Sequence, residues 1–307
     1  MLKGISTTKL AEICGVSQGT VDRALNNRKG ISEATKEKIL QVAKEYGYRP
    51  NYHARAMRSG KSNLIGIVVF DLDNQYFADI VTNIEDCCSR KGYSTVVMFT
   101  NKQTRREIEC VENLVNMAVD GIVICPINQG EDFENYLLNL KIPVVTVGNR
   151  LKNIPYIGIN NTLAMKETVD YVISKGYDRL IYVKPHMLKN NTFAQNERLS
   201  AFSRACTNTE HVITDTYGAL NEIKPDKKNV LICPTDIYAV KLFVGAKNLD
   251  AGVIGFDNIR LLDELGIKLD SVGYDIFETA RVITNFLVDG RPFNGYIAHK
   301  IIERGSL

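Results

Sequence analysis

The chain has 307 residues, 45% of them hydrophobic and 24% charged, and its formal net charge at pH 7 is +3. This length and composition predict a globular protein of two or three domains. No apolar run approaches the length of about 18 residues that a membrane-spanning helix needs. The N-terminus has no hydrophobic segment typical of an export signal, so we expect a cytoplasmic protein. The seven scattered cysteines form no C-x-x-C pair and are expected to be buried and reduced.

The first predicted element is a helix-turn-helix within residues 8–25. Gly15 interrupts the first helical pattern where a tight turn is expected, and Ser17 is placed to cap the second helix. The residues that recur at helical spacing are Leu10, Ala11, Ile13, Cys14, Thr20, Val21, Ala24 and Leu25. Two helices joined by such a turn indicate a DNA-binding motif, and a pair of solvated helices in a bundle is the alternative.

Exposed positions early in the second helix are the candidates for reading DNA. A recognition helix enters the major groove with its N-terminal residues facing base edges, which selects Gln18, Gly19, Asp22 and Arg23. Glutamine pairs two-pronged with adenine, and arginine does so with guanine. Gln18 and Arg23 are therefore the predicted base-reading residues.

Positive charge is concentrated at this end of the chain. Residues 1–62 carry 12 Lys and Arg against 5 Asp and Glu, a net charge of +7, which leaves −4 on residues 63–307. A compact basic segment indicates phosphate binding, because neutralised phosphates release counterions. The charge pattern therefore favours DNA binding over the bundle alternative.

A third helix and a basic linker follow. Ser32 is predicted to cap this helix and Gly47 to end it. Its predicted apolar stripe is Ile39, Leu40, Val42, Ala43 and Tyr46. Pro50 stops any continuation, and Asn51 can begin a short basic helix that is too short to be stable alone.

From Leu64 onward, short apolar runs alternate with amphipathic segments. The predicted strands are residues 64–70, 94–99, 121–125, 143–147, 179–183, 229–233 and 252–256. The predicted helices are residues 77–90, 104–118, 162–175, 193–206, 236–247 and 276–289. This alternation predicts parallel sheets covered by helices on both faces. One sheet of that size is not expected, so we predict two lobes with a break near Asn160.

Ligands of such sheets bind beyond the carboxyl ends of the strands. The polar residues found there are Asp71, Asp73, Asn149, Arg150, Asp236 and Asp257. An arginine fork and carboxylates that hydrogen-bond hydroxyl groups suit a polar metabolite. Helix capping is the alternative role of Asp71 and Asp236.

These features together resemble the lactose-repressor (LacI/GalR) family of bacterial transcription regulators. The matching motifs are LAEICGVSQGTVDRALN, ISEATKEKIL, GYRPN, the Ala54-Arg55 pair, DGIV, IPVV and GFDN. The resemblance implies an all-α helix-turn-helix head at residues 1–48, a hinge at 49–63, and a two-lobed α/β sensor, like periplasmic binding proteins, at 64–307. It also implies that the chain crosses between the lobes, so that the lobes comprise about 64–160 plus 276–291 and about 161–275 plus 292–307.

The resemblance implies a set of residues for each interface. The predicted DNA-binding residues are Ser6, Thr7, Ser17, Gln18, Gly19, Thr20, Asp22, Arg23, Asn26, Ser32, Asn51, Ala54 and Met57. Met57 occupies the place of a residue that wedges into the minor groove, and packing against a dimer mate is its alternative role. The predicted effector-binding residues are Asp71, Tyr76, Phe77, Asn149, Arg150, Arg198, Asp236, Asp257 and Tyr274. Tyr76 and Phe77 fit an ordinary hydrophobic core equally well.

Departures from the family pattern affect both interfaces. Asp22 stands where a small hydroxyl residue is usual, and a carboxylate there opposes phosphates unless it accepts from cytosine or pairs with Arg23. The departures in the sensor are Asn149, Lys184 with Pro185, and Thr235. We therefore expect a sugar-like or similarly polar effector without assigning its identity.

Enzymatic and transport functions fit the sequence less well. Gly60-Lys61-Ser62 imitates the end of a phosphate-binding loop, but Arg55 stands where that motif needs glycine. The four histidines show no metal spacing and no Gly-x-Ser-x-Gly elbow is present. A transport-type sugar-binding protein would share the two lobes but would lack a basic three-helix head. We predict a homodimeric DNA-binding regulator, with repression the favoured mode, that has no catalytic activity, cofactor or metal.

Overall fold

A computed structural model describes residues 5–25, 27–48, 60–184, 193–293 and 295–307. Contacts along the chain separate two compact units, Met1–Gly60 and Lys61–Leu307. Most of the predicted hinge, residues 49–59, lies outside the described residues.

The described part of the first unit contains three short helices, α1 (Thr7–Cys14), α2 (Gln18–Leu25) and α3 (Glu33–Glu45). Gly15 ends α1 in the left-handed region at φ 69°, which glycine adopts without a steric penalty. The helices bury one small core made of Leu10, Ala11, Cys14, Val21, Ala24, Ile39 and Ala43. Most of these side chains are small, so the core removes little apolar surface from water and the head is held by few contacts.

The predicted apolar stripe of α3 is wrong at two positions. Leu40 is 41% exposed and Tyr46 is 52% exposed, whereas Ile39 is fully buried. Leu40 follows Ile39 directly and therefore lies about 100° away around the helix axis. Tyr46 lies beyond the last helical residue, at φ −92° and ψ 9°, so the helical period no longer directs it to the core.

The first lobe of the second unit is built on a parallel four-stranded sheet with the order β2-β1-β3-β4. Its strands are β1 (Leu64–Val69), β2 (Ser94–Phe99), β3 (Gly121–Ile124) and β4 (Val144–Thr146). Its helices are α4 (Gln75–Arg90), α5 (Thr104–Asn116), α6 (Glu131–Leu138) and α11 (Ile276–Asp289). Buried residues of α4 and α11 pack on one face of the sheet, and those of α5 and α6 pack on the other.

The second lobe is built on a six-stranded sheet with the order β10-β9-β8-β7-β5-β6, in which only β10 runs antiparallel to its neighbour. Its strands are β5 (Arg179–Lys184), β6 (Glu210–Asp215), β7 (Asn229–Ile232), β8 (Gly252–Phe256), β9 (Asp270–Tyr274) and β10 (His299–Ile302). Its helices are α7 (Asn161–Ser174), α8 (Phe193–Ala205), α9 (Asp236–Asn248), α10 (Leu261–Glu264) and a 3-10 turn at Ala219–Glu222. Alternate residues of β5 belong to the cores on opposite faces of the sheet. Tyr182 packs with α7 and α8, whereas Ile181 packs with α9.

The predicted two-lobed α/β fold is confirmed, but five short elements were not predicted. These are β6, β9, β10, α6 and α10. β6 lies at a sheet edge and consists of half-buried and exposed residues, so it lacks the continuous apolar run that is typical of a buried strand. β9 begins with the buried polar residues Asp270 and Ser271, whose side chains satisfy neighbouring polar groups.

All seven cysteines are unpaired and buried, as the sequence analysis predicted. Cys87 and Cys88 lie in the core between α4 and α11, where burial raises the pKa of the Cys88 thiol to about 11. These thiols therefore contribute packing rather than reactivity.

Gly66 in β1 provides the first test of the packing. A Cβ at this position would lie 2.5 Å from Cδ1 of Leu114, which is fully buried on α5. We expect Gly66→Ala to lower the free energy of unfolding by about 1–3 kcal/mol and Leu114→Ala to lower it by about 2–5 kcal/mol, measured by urea denaturation. The double variant should cost less than the sum, because the truncated Leu114 leaves room for the new methyl group. Additive costs would contradict this packing.

Candidate functional site

The predicted DNA-binding surface of the head is organised by helix-capping serines. The Oγ atoms of Ser6, Ser17 and Ser32 each accept a hydrogen bond of 3.2 Å, from the backbone N–H of Lys9, Thr20 and Thr35, respectively. All three serines are exposed, at the N-terminal ends of α1, α2 and α3. Such ends carry partial positive charge and suit phosphate groups. These three predicted contact residues therefore also fix the helix starts.

The early residues of α2 form an exposed face. Gln18, Gly19 and Arg23 are exposed, whereas Thr20 is half-buried and its Oγ1 lies 2.9 Å from the Oγ of Ser17. The Gln18 amide donates a 2.7 Å hydrogen bond to the hydroxyl of Thr8. This contact orients Gln18 along the surface of the head. To read a base, the amide must therefore break its hydrogen bond with Thr8 and form one with DNA.

Asp22 has an ion-pair partner that the sequence analysis did not consider. Its carboxylate lies 3.1 Å from Nη1 of Arg28, in the segment that follows α2. Both side chains are substantially exposed, at 39% for Asp22 and 66% for Arg28, so the pair adds little stability. Its effect is to place a cation beside the carboxylate and so to reduce the repulsion expected between Asp22 and phosphates.

Four predicted DNA-binding residues lie outside the described residues. They are Asn26, Asn51, Ala54 and Met57. Of the remaining predicted residues, Thr7 begins α1 and is half-buried. The described part of the predicted interface thus consists of the capping serines with the exposed face of α2.

A cavity of about 510 Å³ lies between the two lobes of the second unit. This volume is within the usual range for small-molecule sites, about 300–1,000 Å³. Seven of the nine predicted effector-binding residues line it, namely Asp71, Tyr76, Phe77, Asn149, Arg198, Asp257 and Tyr274. Arg150 and Asp236 do not line it.

Arg198 on α8 is the buried cation of the cavity. Its Nε donates to Oδ1 of Asn161 at 2.8 Å, and its Nη1 donates to the carbonyl of Pro234 at 2.6 Å. The guanidinium also lies 3.6 Å from the ring centre of Phe256, a cation–π contact. These contacts lock the plane of the guanidinium, as bidentate recognition of hydroxyl or carboxylate oxygens requires.

Asp257 faces Arg198 in an unusual backbone conformation. Its φ of 101° is one that residues other than glycine rarely adopt, and such strain is typical of functional sites. The carboxylate is 3.7 Å from Nη1 of Arg198, too far for a hydrogen bond. Its Oδ2 accepts a 3.1 Å hydrogen bond from Asn74 of the other lobe. Burial raises the pKa of Asp257 to about 6, although Arg198 opposes this shift.

Asp236 was predicted to contact the effector, and the structure places its carboxylate elsewhere. Its oxygens accept hydrogen bonds from the Ile259 N–H at 2.8 Å and from the Ser271 hydroxyl at 2.6 Å. It does not act as the N-cap of α9, because that position belongs to Thr235. Burial, followed by the charge of Asp257, raises its pKa to about 7. Asp236 therefore supports the segment that carries Asp257.

The neighbouring residues Asn149 and Arg150 connect the lobes in different ways. Asn149 donates to the Pro126 carbonyl at 2.9 Å and accepts from the Ala194 N–H of the other lobe at 3.2 Å. Arg150 forms a 2.6 Å ion pair with Glu197 on α8 instead of lining the cavity. Both residues thus hold α8, which carries Arg198, against the first lobe.

The aromatic residues of the site belong to both the core and the cavity. Tyr76 and Phe77 are 4% and 8% exposed, pack in the first-lobe core and also line the cavity. The rings of Tyr76 and Tyr274 have centroids 5.7 Å apart. The Tyr76 hydroxyl is buried without a hydrogen-bond partner of normal geometry in the described part of the chain. A buried hydroxyl of this kind is costly unless a ligand or water satisfies it.

Sequence reasoning missed several residues that line the cavity. Asn74 caps α4 and reaches Asp257, and its position just after the first strand was the available signal. The others that bear polar or charged groups are Lys102, Tyr156, Asn161, Gln195, Thr235, Tyr238 and Lys241. Asp71 does not cap α4, since its carboxylate accepts from the Asp73 N–H and pairs with Lys102 at 2.6 Å. Asp73 itself is exposed on the lining of the cavity.

The described ranges of the chain show neither a metal-binding cluster nor a membrane-spanning helix. There, no group of three or more His, Cys, Asp or Glu side chains lies close enough together to hold a metal ion. Each helix in these ranges is too short or too polar to cross a membrane.

Two family models match the chain. The model described as bacterial regulatory proteins of the lacI family matches residues 9–51. The model of periplasmic binding proteins and the sugar-binding domain of the LacI family matches residues 62–211. The two matches therefore cover the head and the first part of the sensor separately.

Similar proteins match along most of their length. Catabolite control protein A of Priestia megaterium is 25% identical over 304 residues, which cover 91% of each chain. The lac repressor dimer bound to operator and an anti-inducer has a TM-score of 0.79 at 18% identity, covering 99% of this chain and 100% of that chain. A complex of the regulator CelR with cellobiose has a TM-score of 0.65 at 19% identity, covering 98% and 99%. The two structures show the same fold.

The raised pKa of Asp236 generates a prediction about stability and pH. The native carboxyl holds its proton to about pH 7, whereas the unfolded one loses it near its ordinary pKa of 3.8. The unfolded state therefore binds fewer protons between these values, and this group makes stability fall as pH rises through that window. Asp236→Asn, which cannot ionise, should flatten the fall in the free energy of unfolding.

The measurement is urea denaturation from pH 4 to pH 8. Asp226→Asn, at an exposed position, serves as the matched control and should follow the wild type. An Asp236→Asn curve parallel to that of the wild type would show that Asp236 is ionised throughout.

Proposed function

Because the chain belongs to the LacI family of bacterial regulatory proteins, we propose that it binds operator DNA as a homodimer and changes its DNA affinity when a sugar-like effector occupies the cleft. One observation carries this proposal. The same chain contains a basic helix-turn-helix head and a two-lobed sensor whose cavity has a buried arginine and a buried aspartate. The chain is a regulator and not an enzyme. It would act on DNA in the cytoplasm.

The head supplies chemistry that suits double-stranded DNA. Gln18 and Arg23 are exposed on α2, and the three capped helix starts offer backbone N–H groups for phosphates. A single head contacts few base pairs, so specificity calls for two heads on a two-fold symmetric site. The similarity to an operator-bound lac repressor dimer supports this arrangement.

The cavity supplies chemistry that suits a hydroxylated ligand. The 3.7 Å gap between Arg198 and Asp257 leaves donor and acceptor sites that adjacent ligand hydroxyls can bridge. The Tyr76 hydroxyl provides a further group, and aromatic rings can cover the apolar face of a sugar. The effector regulates DNA binding only through unequal affinity for the lobe arrangements that permit and prevent it.

Arg23 tests the DNA part of the proposal. Arg23→Ala should weaken binding to the selected operator by about 1–3 kcal/mol and relax preference at one base pair, because a lost base contact acts only at its own position. The operator is first selected from random two-fold symmetric duplexes, and affinities are measured by fluorescence anisotropy at fixed salt. Arg105→Ala, an exposed arginine of the sensor, is the control and should bind as the wild type does. Equal losses on operator and random DNA would reject the base-reading role.

Asp257 tests the effector part. After a melting-temperature screen identifies a ligand by the stabilisation that binding confers, Asp257→Asn should weaken its binding by about 1–3 kcal/mol, since a ligand donor loses its charged acceptor. Asparagine tolerates the left-handed backbone and preserves the shape of the side chain. Calorimetric titration gives the affinity, and operator binding without ligand should change much less. Normal ligand affinity in this variant would move the site away from Asp257.

A further inference from the structure

Two lysines approach the cavity from opposite lobes. Lys102 follows β2 in the first lobe, and Lys241 lies on α9 in the second; both line the cavity. Tyr238 lies close to both, since Nζ of Lys241 is 5.7 Å from its ring centre, and the charge of Lys102 opposes the burial that raises the pKa of Tyr238. The two ammonium groups thus flank one side of the cavity.

Lys102 is held in place by an unfavourable backbone conformation. Asn101 and Lys102 are both left-handed, at φ 49° and 60°, and neither is glycine. A hydrogen bond of 2.9 Å from the Asn101 N–H to the Phe70 carbonyl fixes this turn. Consecutive residues other than glycine in this region are strained, and such strain persists at binding sites.

Among the described carboxylates that line the cavity, none forms an ion pair with Lys241. Asp71 pairs with Lys102, and Asp257 faces Arg198. Asp73 is exposed, with no ion pair within 4.0 Å among the described residues. Within the same described ranges, Lys241 has no carboxylate within that distance either. Its ammonium group is available to a ligand.

We propose that the effector carries an anionic group, a phosphate ester or a carboxylate, that binds between Lys102 and Lys241 while its hydroxyl groups bind Arg198 and Asp257. This inference rests on the proposed function and adds the charge of the ligand to it. Asp71 offsets part of the charge of Lys102, and an anion between the two lysines attracts both ammonium groups across the cleft. Such a ligand favours the closed arrangement more than the open one, which is the unequal affinity that regulation requires.

The first experiment compares matched ligands. Common hexoses and pentoses, their phosphate monoesters and their sugar acids are titrated calorimetrically into the full-length protein. An anionic ligand should bind at least about tenfold more tightly than its parent sugar, because two ammonium groups contact the added charge. Its affinity should fall as NaCl is raised, whereas that of the parent should not. The phosphate and acid series distinguish the two sources of the charge.

Lysine variants locate the anion. Lys102→Gln and Lys241→Gln should each lower anion affinity about tenfold toward that of the parent sugar, consistent with the loss of one charge-assisted hydrogen bond. Lys247→Gln removes the same charge from the exposed far end of α9 and should have no effect. Lys102→Gly should keep or raise the melting temperature, since glycine tolerates the left-handed backbone, while it lowers anion affinity.

The outcomes separate this inference from the proposed function. A neutral sugar that binds as tightly as its charged derivatives, unaffected by either lysine variant but weakened by Asp257→Asn, would overturn the anionic group and leave the effector site intact. Failure of every ligand in all three series to bind would overturn the inference and count against the sugar-like effector as well. Operator binding, measured separately, would then still test the DNA part of the proposed function.

Discussion

The sensor depends on the burial of one carboxylate at the junction of its lobes. Asp257 is buried with a backbone φ of 101°, faces Arg198, and accepts a hydrogen bond from Asn74 of the opposite lobe. A buried charge must be matched by partners that are themselves fixed, which is why Asn161 and the Pro234 carbonyl hold Arg198. Because the 3.7 Å gap to Arg198 is too long for a hydrogen bond, the pairing is incomplete without a ligand. The same residues therefore hold the lobes together and form the proposed binding site.

The hydrogen bonds and ion pairs between the lobes are modest in strength. Besides Asn74, the Gln75 side chain accepts from the Leu261 N–H at 2.8 Å, and Arg150 pairs with Glu197. Polar contacts of this kind can exchange with water or ligand at small net cost, whereas the apolar core of each lobe cannot. Each lobe is thus expected to move as a rigid body, and the effector to act on the relation between lobes. In the head, the capping serines likewise serve both the fold and a proposed interface, because they fix the helix starts and face the proposed DNA surface.

The architecture could be predicted well from the sequence, because apolar periodicity and helix-end residues are both local signals. Apolar periodicity located the long helices and buried strands, and Gly15, Ser17 and Ser32 marked helix ends. The rule that ligands bind at the carboxyl ends of strands predicted Asp71, Asp73, Asn149 and Asp257. The family resemblance was needed for the other predicted residues that line the cavity, namely Tyr76, Phe77, Arg198 and Tyr274. The orientation of Asp236 could not be predicted, because whether a carboxylate points into a cleft or toward Ser271 depends on tertiary packing. Lys102 and Lys241 were missed for a related reason, since neither lies in an apolar pattern and only the meeting of two lobes gives them a shared function.

We expect effector and DNA to bind to one protein whose two sites are coupled. Coupling is reciprocal, so the factor by which effector changes operator affinity must equal the factor by which operator changes effector affinity. Both factors can be obtained from anisotropy titrations of operator at saturating effector and calorimetric titrations of effector at saturating operator, at one salt concentration. We expect equal factors of about 5–150, the usual range for allosteric coupling. Effector affinity that is the same with and without operator would contradict this coupling.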